Sequence, residues 1–324
     1  MELNQIYEPV QEDLVKVKDS LMSIIKVDFP WLSEQLDYVV REGGKGIRPA
    51  LTLLAGKFYN YNLEYLLPMA VSVELMHTAT LVHDDAIDKS GVRRGRPTIY
   101  EMWGEEPSVL LGDYLFAKAG EFVSDTQSPR AIKLFSQTLA TISSGELSQF
   151  FDAFKPEPSR QHYFQRISSK TASLFCLATE SGAVLSKAPE KSVKALKEYG
   201  YHLGIAFQIV DDILDFTGTK EKLGKPVGSD LAQGTLTLPA MLLLERYPED
   251  NPVKRLFENK DKKDKQKNIE LTIEMVLNSS IVRDCYEVAE EYCTRARHNL
   301  ELLPDNTWRL ALSELADYII ERKN

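Results

Sequence analysis

Residues 74–88, ELMHTATLVHDDAID, form an apolar run with helical periodicity that ends in three aspartates. A second apolar run, HLGIAFQIVDDILD at residues 202–215, ends in the same pattern. The two acidic triplets are Asp84, Asp85 and Asp88, and Asp211, Asp212 and Asp215. Because residues three and four positions apart lie on one side of a helix, each triplet should gather its carboxylates near the C-terminal end of a helix.

Helical periodicity extends outward from these two runs through nearly the whole chain. It is already visible between Val10 and Ile25, and strand-like alternation is almost absent. Further helices are predicted at about residues 31–41, 48–58, 63–88, 108–124, 130–151, 160–186, 190–216, 236–247, 268–278, 280–302 and 306–321. The pattern predicts an all-α fold in which residues 1–324 form a single large bundle and one domain.

Composition and charge limit the class of protein. With 324 residues, of which 43% are hydrophobic, the chain can bury a sizeable core. A net charge of −9 argues against nucleic-acid partners and anionic membranes, because both need a basic face. The three cysteines show no disulfide or zinc pattern, and no signal peptide or membrane span is evident, so a cytoplasmic location is expected. The lysine-rich stretch 258–268 is predicted to be an exposed loop.

Acidic clusters are unfavourable at the C-terminal end of a helix. The helix dipole is negative there, and two like charges about 4 Å apart repel by ~4 kcal/mol at an effective dielectric near 20. A bound cation removes this conflict. Carboxylates without a nearby histidine and cysteine set indicate Mg²⁺, or alternatively Mn²⁺, and magnesium commonly combines one or two carboxylates with substrate phosphate oxygens. A single triplet would more often be a solvated helix end, but two copies favour a metal site.

Basic residues stand beside both triplets, where phosphate groups would need them. The stretch GGKGIRP, residues 43–49, combines flexible glycines with a helix start at which Pro49 suits the first position, and so resembles an anion site. The basic residues of the whole set are Lys45, Arg48, Arg93, Arg94, Lys170 and Lys225. Each alone would more often be a solvated surface group. Together they predict two diphosphates held around metal ions.

The ordered motifs between about Gly43 and Pro239 resemble those of the trans-isoprenyl diphosphate synthases, the polyprenyl synthetase family. These motifs are GGKGIRP, ELMHTATLVHDDAID, RRGRPT, KTASLF, FQIVDDILD and GKPVGSDLAQGTLTLP. The resemblance implies a bundle of the isoprenoid synthase type around a central cavity, usually dimeric. It also implies Mg²⁺-dependent head-to-tail condensation of an allylic diphosphate with isopentenyl diphosphate.

The same resemblance assigns roles residue by residue. The six aspartates of the triplets would hold the metal ions and, with Lys170, carry catalysis. The isopentenyl diphosphate would be bound by Lys45, Arg48, His77 and Arg94. The allylic diphosphate would be bound by Arg93, Lys170, Thr171, Gln208 and Lys225. From the residues alone, His77 would pass for a core histidine, and Thr171 and Gln208 for ordinary polar residues of helices.

One position departs from the family pattern. Thr235 stands where many members carry lysine, so one phosphate contact is expected to be weaker or supplied elsewhere. Two assemblies therefore stay open: the homodimer that the resemblance implies, and a heteromeric synthase of which this chain is one subunit. A class I terpene cyclase is disfavoured because it would not normally combine a second triplet with GGKGIRP. A non-catalytic regulatory subunit is disfavoured because both triplets are intact.

Two small residues before the first triplet bear on product length. Shorter-chain members of the family often carry bulky aromatics at the fourth or fifth position before the first aspartate, where this chain has Thr80 and Ala79. These lie about 6 to 7.5 Å from Asp84 along a helix, beside the expected path of the growing chain. Close helix packing also favours small residues. The resemblance favours heptaprenyl to decaprenyl products, with a deeper floor near Leu111 to Phe122, and farnesyl or geranylgeranyl diphosphate is the alternative.

Overall fold

The computed structural model describes residues 2–41, 43–152, 159–219, 226–249, 251–258 and 264–322. Its first helices are α1 (Leu3–Ile6), a 3₁₀ turn (Glu8–Val10), α2 (Gln11–Ser23), α3 (Pro30–Arg41), α4 (Ile47–Gly56), α5 (Leu63–Ile87), α6 (Ile99–Trp103), α7 (Glu105–Asp125) and α8 (Pro129–Asp152). There follow α9 (Arg160–Ile167), a π-helical turn (Ser168–Ala172), α10 (Ser173–Leu185) and α11 (Glu190–Thr217). The later helices are Ser229–Ala232, Leu238–Arg246, Pro252–Glu258, Lys265–Leu277, Ile281–Leu300 and Thr307–Glu321. The predicted all-α fold is confirmed.

Helices α5 and α11 lie at the centre of the bundle. Helix α5 packs along α7, and α11 packs against α10 and the helix Ile281–Leu300. Four large side chains of α5, Leu66, Met69, Leu75 and Met76, are fully buried. Burial of apolar surface contributes about 25 cal/mol per Å², so tertiary packing stabilises these helices more than their intrinsic propensity does. Both central helices end in an acidic triplet, which places the triplets inside the bundle.

Helix α5 is long and apolar enough to cross a membrane by length and composition alone. In its most apolar window, however, 61% of the residues are buried inside the protein, as is typical of a core helix. Asn62 caps its start by accepting a hydrogen bond from the backbone N–H of Glu64 at 3.0 Å. Within the described ranges no other helix meets the criteria for a membrane span.

The continuous helix predicted over residues 160–186 is interrupted in the structure. Helices α9 and α10 are joined by the π turn Ser168–Ala172, which places one extra residue in a single helical turn. Such an insertion leaves the apolar periodicity on either side intact, so the sequence pattern did not reveal it. The π turn carries Lys170 and Thr171, and π turns in helices are frequent at functional sites.

The structure gives the local conformation of two glycine-containing motifs. The stretch GVRRGRP forms a small antiparallel hairpin that pairs Val92–Arg93 with Arg96–Pro97. Its two turn residues, Arg94 and Gly95, have φ values of 50° and 78°, and positive φ is what a two-residue hairpin turn requires. Helix α4 begins at Ile47 rather than at Pro49. Proline is tolerated at this third position because the first N–H groups of a helix have no intrahelical partner.

Candidate active site

A cavity of about 1090 Å³ opens between α4, α5, α8, α11 and the π turn. Its wall contains most of the residues that the sequence singles out. These are Lys45, Arg48, His77, Thr80, Asp84, Asp85, Asp88, Arg93, Arg94, Lys170, Thr171, Gln208, Asp211 and Asp212, together with Thr235. Two other predicted site residues, Ala79 and Asp215, are described but do not line this cavity. Lys225 lies outside the described residues.

The first triplet lies at the C-terminal end of α5, where the spacing predicts it. Asp85 is only 7% exposed, and both of its oxygens accept hydrogen bonds from Arg93 Nε, at 2.9 and 3.0 Å. Burial raises the pKa of Asp85, and the Arg93 guanidinium opposes this rise. Burial likewise raises the pKa of Asp88, with Lys170 acting in the opposite direction. The hairpin thus folds an arginine back onto the acidic end of α5.

The π turn contacts both acidic triplets through two neighbouring side chains. Lys170 Nζ lies 3.1 Å from Asp84 Oδ2 of the first triplet. Thr171 Oγ1 donates to Gln208 Oε1 at 2.6 Å, and Gln208 Nε2 donates to Asp212 Oδ1 of the second triplet at 2.9 Å. Because adjacent residues of one turn reach both sets of acids, the two triplets face each other across the cavity.

A second carboxylate, Glu146 of α8, shares Lys170 with the first triplet. Its Oε1 atom lies 2.8 Å from Lys170 Nζ. Burial alone would lower the pKa of Lys170, but Asp84 and Glu146 together raise it above its ordinary value. Burial raises the pKa of Glu146 despite this ammonium group. The lysine is therefore firmly protonated and can meet an arriving phosphate oxygen as a full positive charge.

The second triplet contains two acids, Asp212 and Asp215, that are more deeply buried than those of the first. Asp212 is 2% exposed, and besides Gln208 it accepts a hydrogen bond from the Tyr163 hydroxyl at 2.7 Å. Burial and the nearby Asp230 raise the pKa of Asp212 to about 7. Asp211 forms an ion pair with Arg322. Tyr163 thus orients an acid that would otherwise be costly to bury.

Asp215 does not line the cavity and instead bonds the start of the short helix Ser229–Ala232, whose Ser229 and Asp230 do line it. It is 1% exposed, and it accepts hydrogen bonds from Ser229 Oγ at 2.9 Å and from the backbone N–H of Asp230 at 3.2 Å. A carboxylate beside the first N–H groups of a helix is well placed electrostatically. This arrangement brings Asp230 to the cavity wall, and the metal-binding role of Asp215 stays a prediction.

Positive charge gathers on the side of the cavity formed by GGKGIRP and α5. Burial lowers the pKa of Arg48, and Glu74 opposes this change. Burial raises the pKa of Glu74, opposed by Arg48 and Arg94. The pKa of His77 falls well below its ordinary value because of burial and then of Arg48 and Arg94. His77 is therefore neutral and can donate one hydrogen bond, while Lys45 and the arginines supply charge for an anion.

Apolar side chains also line the cavity. They include Leu81, Ile142 and Leu174. Thr80 belongs to this wall, and its hydroxyl donates to the His77 carbonyl at 2.7 Å, so it presents no unpaired polar group. Ala79 is fully buried on the side of α5 from which Ser72, seven residues earlier, bonds the Ala119 carbonyl of α7. Of the two proposed length-determining residues, only Thr80 therefore lies on the described wall.

Several residues of the site were missed by the sequence reasoning. They are Glu74, Glu146, Tyr163, Asp230 and Arg322. Tyr163 precedes Lys170 by seven residues, a two-turn spacing that could have placed both on one face. Asp230 lies in the quoted motif GKPVGSDLAQGTLTLP and could have been noticed there. Arg322 is 111 residues from its partner Asp211, and no local pattern could have linked them.

The acids at the two helix ends fit a divalent metal ion that is shared with a substrate. Among the described residues, no group of three His, Cys, Asp or Glu side chains is arranged to hold a metal ion alone. Magnesium does not need such a cage, because it retains waters and takes one or two carboxylates together with phosphate oxygens. Asp84, Asp88 and Asp211 supply hard oxygen donors at the cavity wall. The donor chemistry therefore matches a metal that arrives with a diphosphate.

An all-α bundle whose central cavity holds two facing acidic triplets, a cationic side and an apolar wall defines an enzyme of the isoprenoid synthase class. The polyprenyl synthetase family model matches residues 29–276. The chain therefore belongs to the polyprenyl synthetase family and is a prenyltransferase. Members of this family use a divalent metal ion.

Known proteins resemble the chain over essentially its full length. Heptaprenyl diphosphate synthase component 2 of Geobacillus stearothermophilus is 38% identical over 322 residues, with 99% of each chain covered. The crystal structure of heptaprenyl diphosphate synthase from Staphylococcus aureus superposes with a TM-score of 0.91 at 34% identity, covering 100% of this chain and 99% of that one. A polyprenyl synthase from Caulobacter crescentus CB15, complexed with calcium and isoprenyl diphosphate, gives a TM-score of 0.94 at 31% identity and covers 100% and 98%.

Proposed function

We propose that the chain condenses an allylic prenyl diphosphate with isopentenyl diphosphate, head to tail and with Mg²⁺, to give a medium- or long-chain all-trans polyprenyl diphosphate. The observation that carries this proposal is the π turn. Its Lys170 contacts Asp84 while Thr171 reaches Asp212 through Gln208. One turn thereby holds a cation at the first triplet and is hydrogen-bonded through Gln208 to the second, which is an arrangement suited to a diphosphate leaving group.

The two diphosphates are assigned to different sides of the cavity. The allylic diphosphate is placed between the triplets, with Mg²⁺ on Asp84, Asp88 and Asp211, and with Arg93 and Lys170 as its cationic partners. The isopentenyl diphosphate is placed beside GGKGIRP, where Lys45, Arg48, Arg94 and neutral His77 line the wall. Thr235 also lines the cavity, but its short uncharged side chain cannot replace the lysine common in the family.

The charges of the wall account for the chemistry. Bound Mg²⁺ would stabilise the negative charge that develops on the departing diphosphate. Lys170 and Arg93 stabilise the same charge from fixed positions, so little reorganisation is needed as the allylic carbon–oxygen bond breaks. The apolar wall with Leu81 and Leu174 keeps water from the allylic carbocation. The double bond of isopentenyl diphosphate then attacks this carbocation, and the proton lost afterwards passes to the released diphosphate.

Product length is proposed from the small residue on the cavity wall and from the relatives. Thr80 leaves the wall below Asp84 open to a growing apolar chain, whereas an aromatic side chain would close it. The similar proteins named above include heptaprenyl diphosphate synthases. Both observations favour a product longer than geranylgeranyl diphosphate over the short-chain alternative.

The direct test uses purified protein with Mg²⁺, farnesyl diphosphate and labelled isopentenyl diphosphate. Chromatography of the dephosphorylated products should show prenyl chains longer than geranylgeraniol. Products that stop at farnesol or geranylgeraniol would contradict the proposed product length but would still support the proposed condensation reaction. An Asp84→Asn variant prepared in parallel should form product ~100-fold more slowly, which identifies the site responsible.

A second candidate is a subunit of a heteromeric synthase, and the name component 2 of a similar protein favours it. We infer that the chain forms a homodimer, in preference to a heteromer. Helices α7 and α8 expose Leu110 at 68% and Phe150 at 67%, and a second copy could cover this apolar area. Light scattering on the purified chain, combined with the product assay, decides between them. A dimer that elongates farnesyl diphosphate without any other protein supports the homodimer. A purified chain that is inactive supports dependence on a partner subunit. A cytoplasmic location remains part of this proposal.

A further inference from the structure

We propose that Arg166 and Thr237 bind a phosphate oxygen of the allylic diphosphate, and that Arg166 supplies the positive charge that position 235 lacks in this chain. This inference rests on the proposed function, because it adds a subsite to the allylic site assigned above. Both residues line the cavity, and Thr235, Asp212 and Asp230 belong to the same wall. The subsite therefore lies on the side of the second triplet.

Two contacts hold the Arg166 guanidinium on this wall. Its Nη2 atom donates to the Leu236 carbonyl at 2.5 Å. Its central carbon lies 5.5 Å from the centre of the Tyr163 ring, which is itself fixed by the hydrogen bond to Asp212. A guanidinium has more N–H donors than these contacts use. Arg166 is thus positioned by the protein and keeps donors for an anion.

A cation on the side chain of residue 235 would occupy the same part of the wall. Arg166 bonds the carbonyl of Leu236, which directly follows Thr235 in the chain. Thr235 lines the cavity but carries no charge. The charge that the family pattern places on this stretch therefore comes, in this chain, from the neighbouring helix α9. The departure at position 235 and the position of Arg166 explain each other.

The hydroxyl of Thr237 independently indicates a ligand at the same place. Thr237 is the N-cap residue of the helix Leu238–Arg246, yet its side chain makes no capping hydrogen bond. It is 2% exposed, and its hydroxyl oxygen has no hydrogen-bond partner within the described part of the chain. Buried hydroxyls normally have partners. The Thr237 hydroxyl is therefore available to donate to a phosphate oxygen.

The surrounding charges suit a diphosphate that is bound to a metal ion. The start of the helix Leu238–Arg246 favours an anion, because its first N–H groups have no intrahelical partner and the helix dipole is positive there. Asp212 and Asp230 on the same wall would repel a bare diphosphate. A divalent ion between these acids and the diphosphate removes that repulsion, and Arg166 and Thr237 then hold the oxygens that the metal leaves free.

The first test compares the steady-state kinetics of Arg166→Gln, Thr235→Lys and the variant that carries both changes. Arg166→Gln should raise KM for farnesyl diphosphate by about tenfold or more, since a charge-assisted contact is lost, and change KM for isopentenyl diphosphate by less than about twofold. The double variant should return KM for farnesyl diphosphate to within about threefold of the unaltered protein. Thr235→Lys alone should change it by less than about twofold, because Arg166 already supplies the charge.

Rescue in the double variant separates binding from a purely structural role of Arg166. If the guanidinium only held the Leu236 carbonyl, a lysine at position 235 could not restore affinity. A double variant as weak as Arg166→Gln, an unchanged KM in Arg166→Gln, or a tightening of about tenfold by Thr235→Lys alone would overturn the proposal. The matched control is Arg160→Gln, which removes an exposed arginine of α9 that bonds Glu245 at 2.7 Å, and it should leave both KM values unchanged.

The second test uses Thr237→Val, which removes the hydroxyl and keeps the shape of the side chain. Because this hydroxyl has no partner among the described residues, the free protein should be at least as stable as the unaltered one. KM for farnesyl diphosphate should rise by about threefold to tenfold. Kinetics and thermal unfolding measure the two effects. An unchanged KM, or a melting temperature lowered by more than about 2 °C, would contradict the subsite.

The third test reads the subsite without turnover, by isothermal titration calorimetry with Mg²⁺ and inorganic diphosphate. Arg166→Gln should weaken diphosphate binding by about tenfold, and the added Thr235→Lys should restore it. Equal affinities in all three proteins would overturn the proposal. If these affinities followed the expectation while the unaltered protein made no prenyl product, the proposed function would fail and the diphosphate subsite would stand, so the two failures are distinguishable.

Discussion

Individual acids of the site are neutralised by cations that lie outside their own helices. The pairs are Arg93 with Asp85, Lys170 with Asp84, and Arg322 with Asp211. Burying a carboxylate without a partner costs several kcal/mol, roughly as much as a substantial part of a domain's stability. The cations therefore make a cluster of acids at two helix ends compatible with a folded protein that has no metal bound.

Replacement of Asp84 by asparagine should separate catalysis from stability. We expect turnover to fall by ~100-fold, since a proposed metal ligand and a partner of Lys170 are lost together. Stability should change by less than about 1 kcal/mol, because Lys170 keeps its second partner Glu146. Kinetics and calorimetry on the same preparation measure both effects. Asp125→Asn, at an exposed position on α7, is the matched control, and comparable losses of turnover and melting temperature in Asp84→Asn would contradict the catalytic assignment.

At the residue scale, the sequence could reveal those site residues that belong to local patterns. The aspartate triplets and the arginines after them are short-range features, and most of them line the cavity. Glu74 and Glu146 could not be recognised, because a lone acid on a helix has no local signature until the fold surrounds it. Asp215 has the right spacing but bonds the start of a neighbouring helix, which sequence spacing cannot show.

Among the structural elements, the π turn Ser168–Ala172 is the one whose geometry matters most. An α-helical path here would lack the extra residue, and Lys170 and Thr171 could not keep their contacts to Asp84 and Gln208 at once. Deletion of Ser168 should therefore preserve helix content and lower kcat by about 100-fold. Circular dichroism and kinetics measure the two effects. The control Ser168→Ala keeps the length of the turn and should retain activity, whereas an active deletion variant would show that the turn is not required.

Product length should respond differently to the two small residues of α5. Thr80→Phe places a ring on the cavity wall, so products should become shorter while the melting temperature changes little. Ala79→Phe places the ring at a fully buried position, where overpacking costs about 1–3 kcal/mol. Product chromatography and thermal unfolding of both variants measure these outcomes. Shorter products from Ala79→Phe without loss of stability would show that Ala79 faces the growing chain after all.

At the element scale, periodicity predicts most helices, and its failures have one cause. It predicts the long helices α5 and α11 because their buried sides repeat over many turns. It does not predict the hairpin Val92–Pro97 or the π turn, because each depends on one or two residues rather than on a repeat. The irregular elements are also the ones that position Arg93 and Lys170.

For the whole molecule, removal of metal should abolish activity and leave the fold intact. The apolar core and the internal ion pairs stabilise the bundle, so a chelator should shift the melting temperature by less than about 2 °C. Mg²⁺ with inorganic diphosphate should raise it by about 5 °C or more, since both bind only the folded state. Differential scanning calorimetry measures these shifts. The control is a double variant, Asp84→Asn with Asp211→Asn, whose melting temperature should not rise with Mg²⁺ and diphosphate. A chelator that unfolds the unaltered protein would indicate a structural metal instead.

The arrangement of charges inside this acidic protein has a consequence for its response to salt. Several carboxylates of the site already pair with cationic side chains, and a Mg²⁺–diphosphate complex carries cation and anion together. When this complex enters the cavity, the carboxylates exchange their cationic side chains for Mg²⁺, and those side chains then bind the diphosphate. Few counter-ions are needed from the buffer. Ionic strength should then govern how quickly such complexes approach the negative exterior, and have little effect on how tightly the interior retains them.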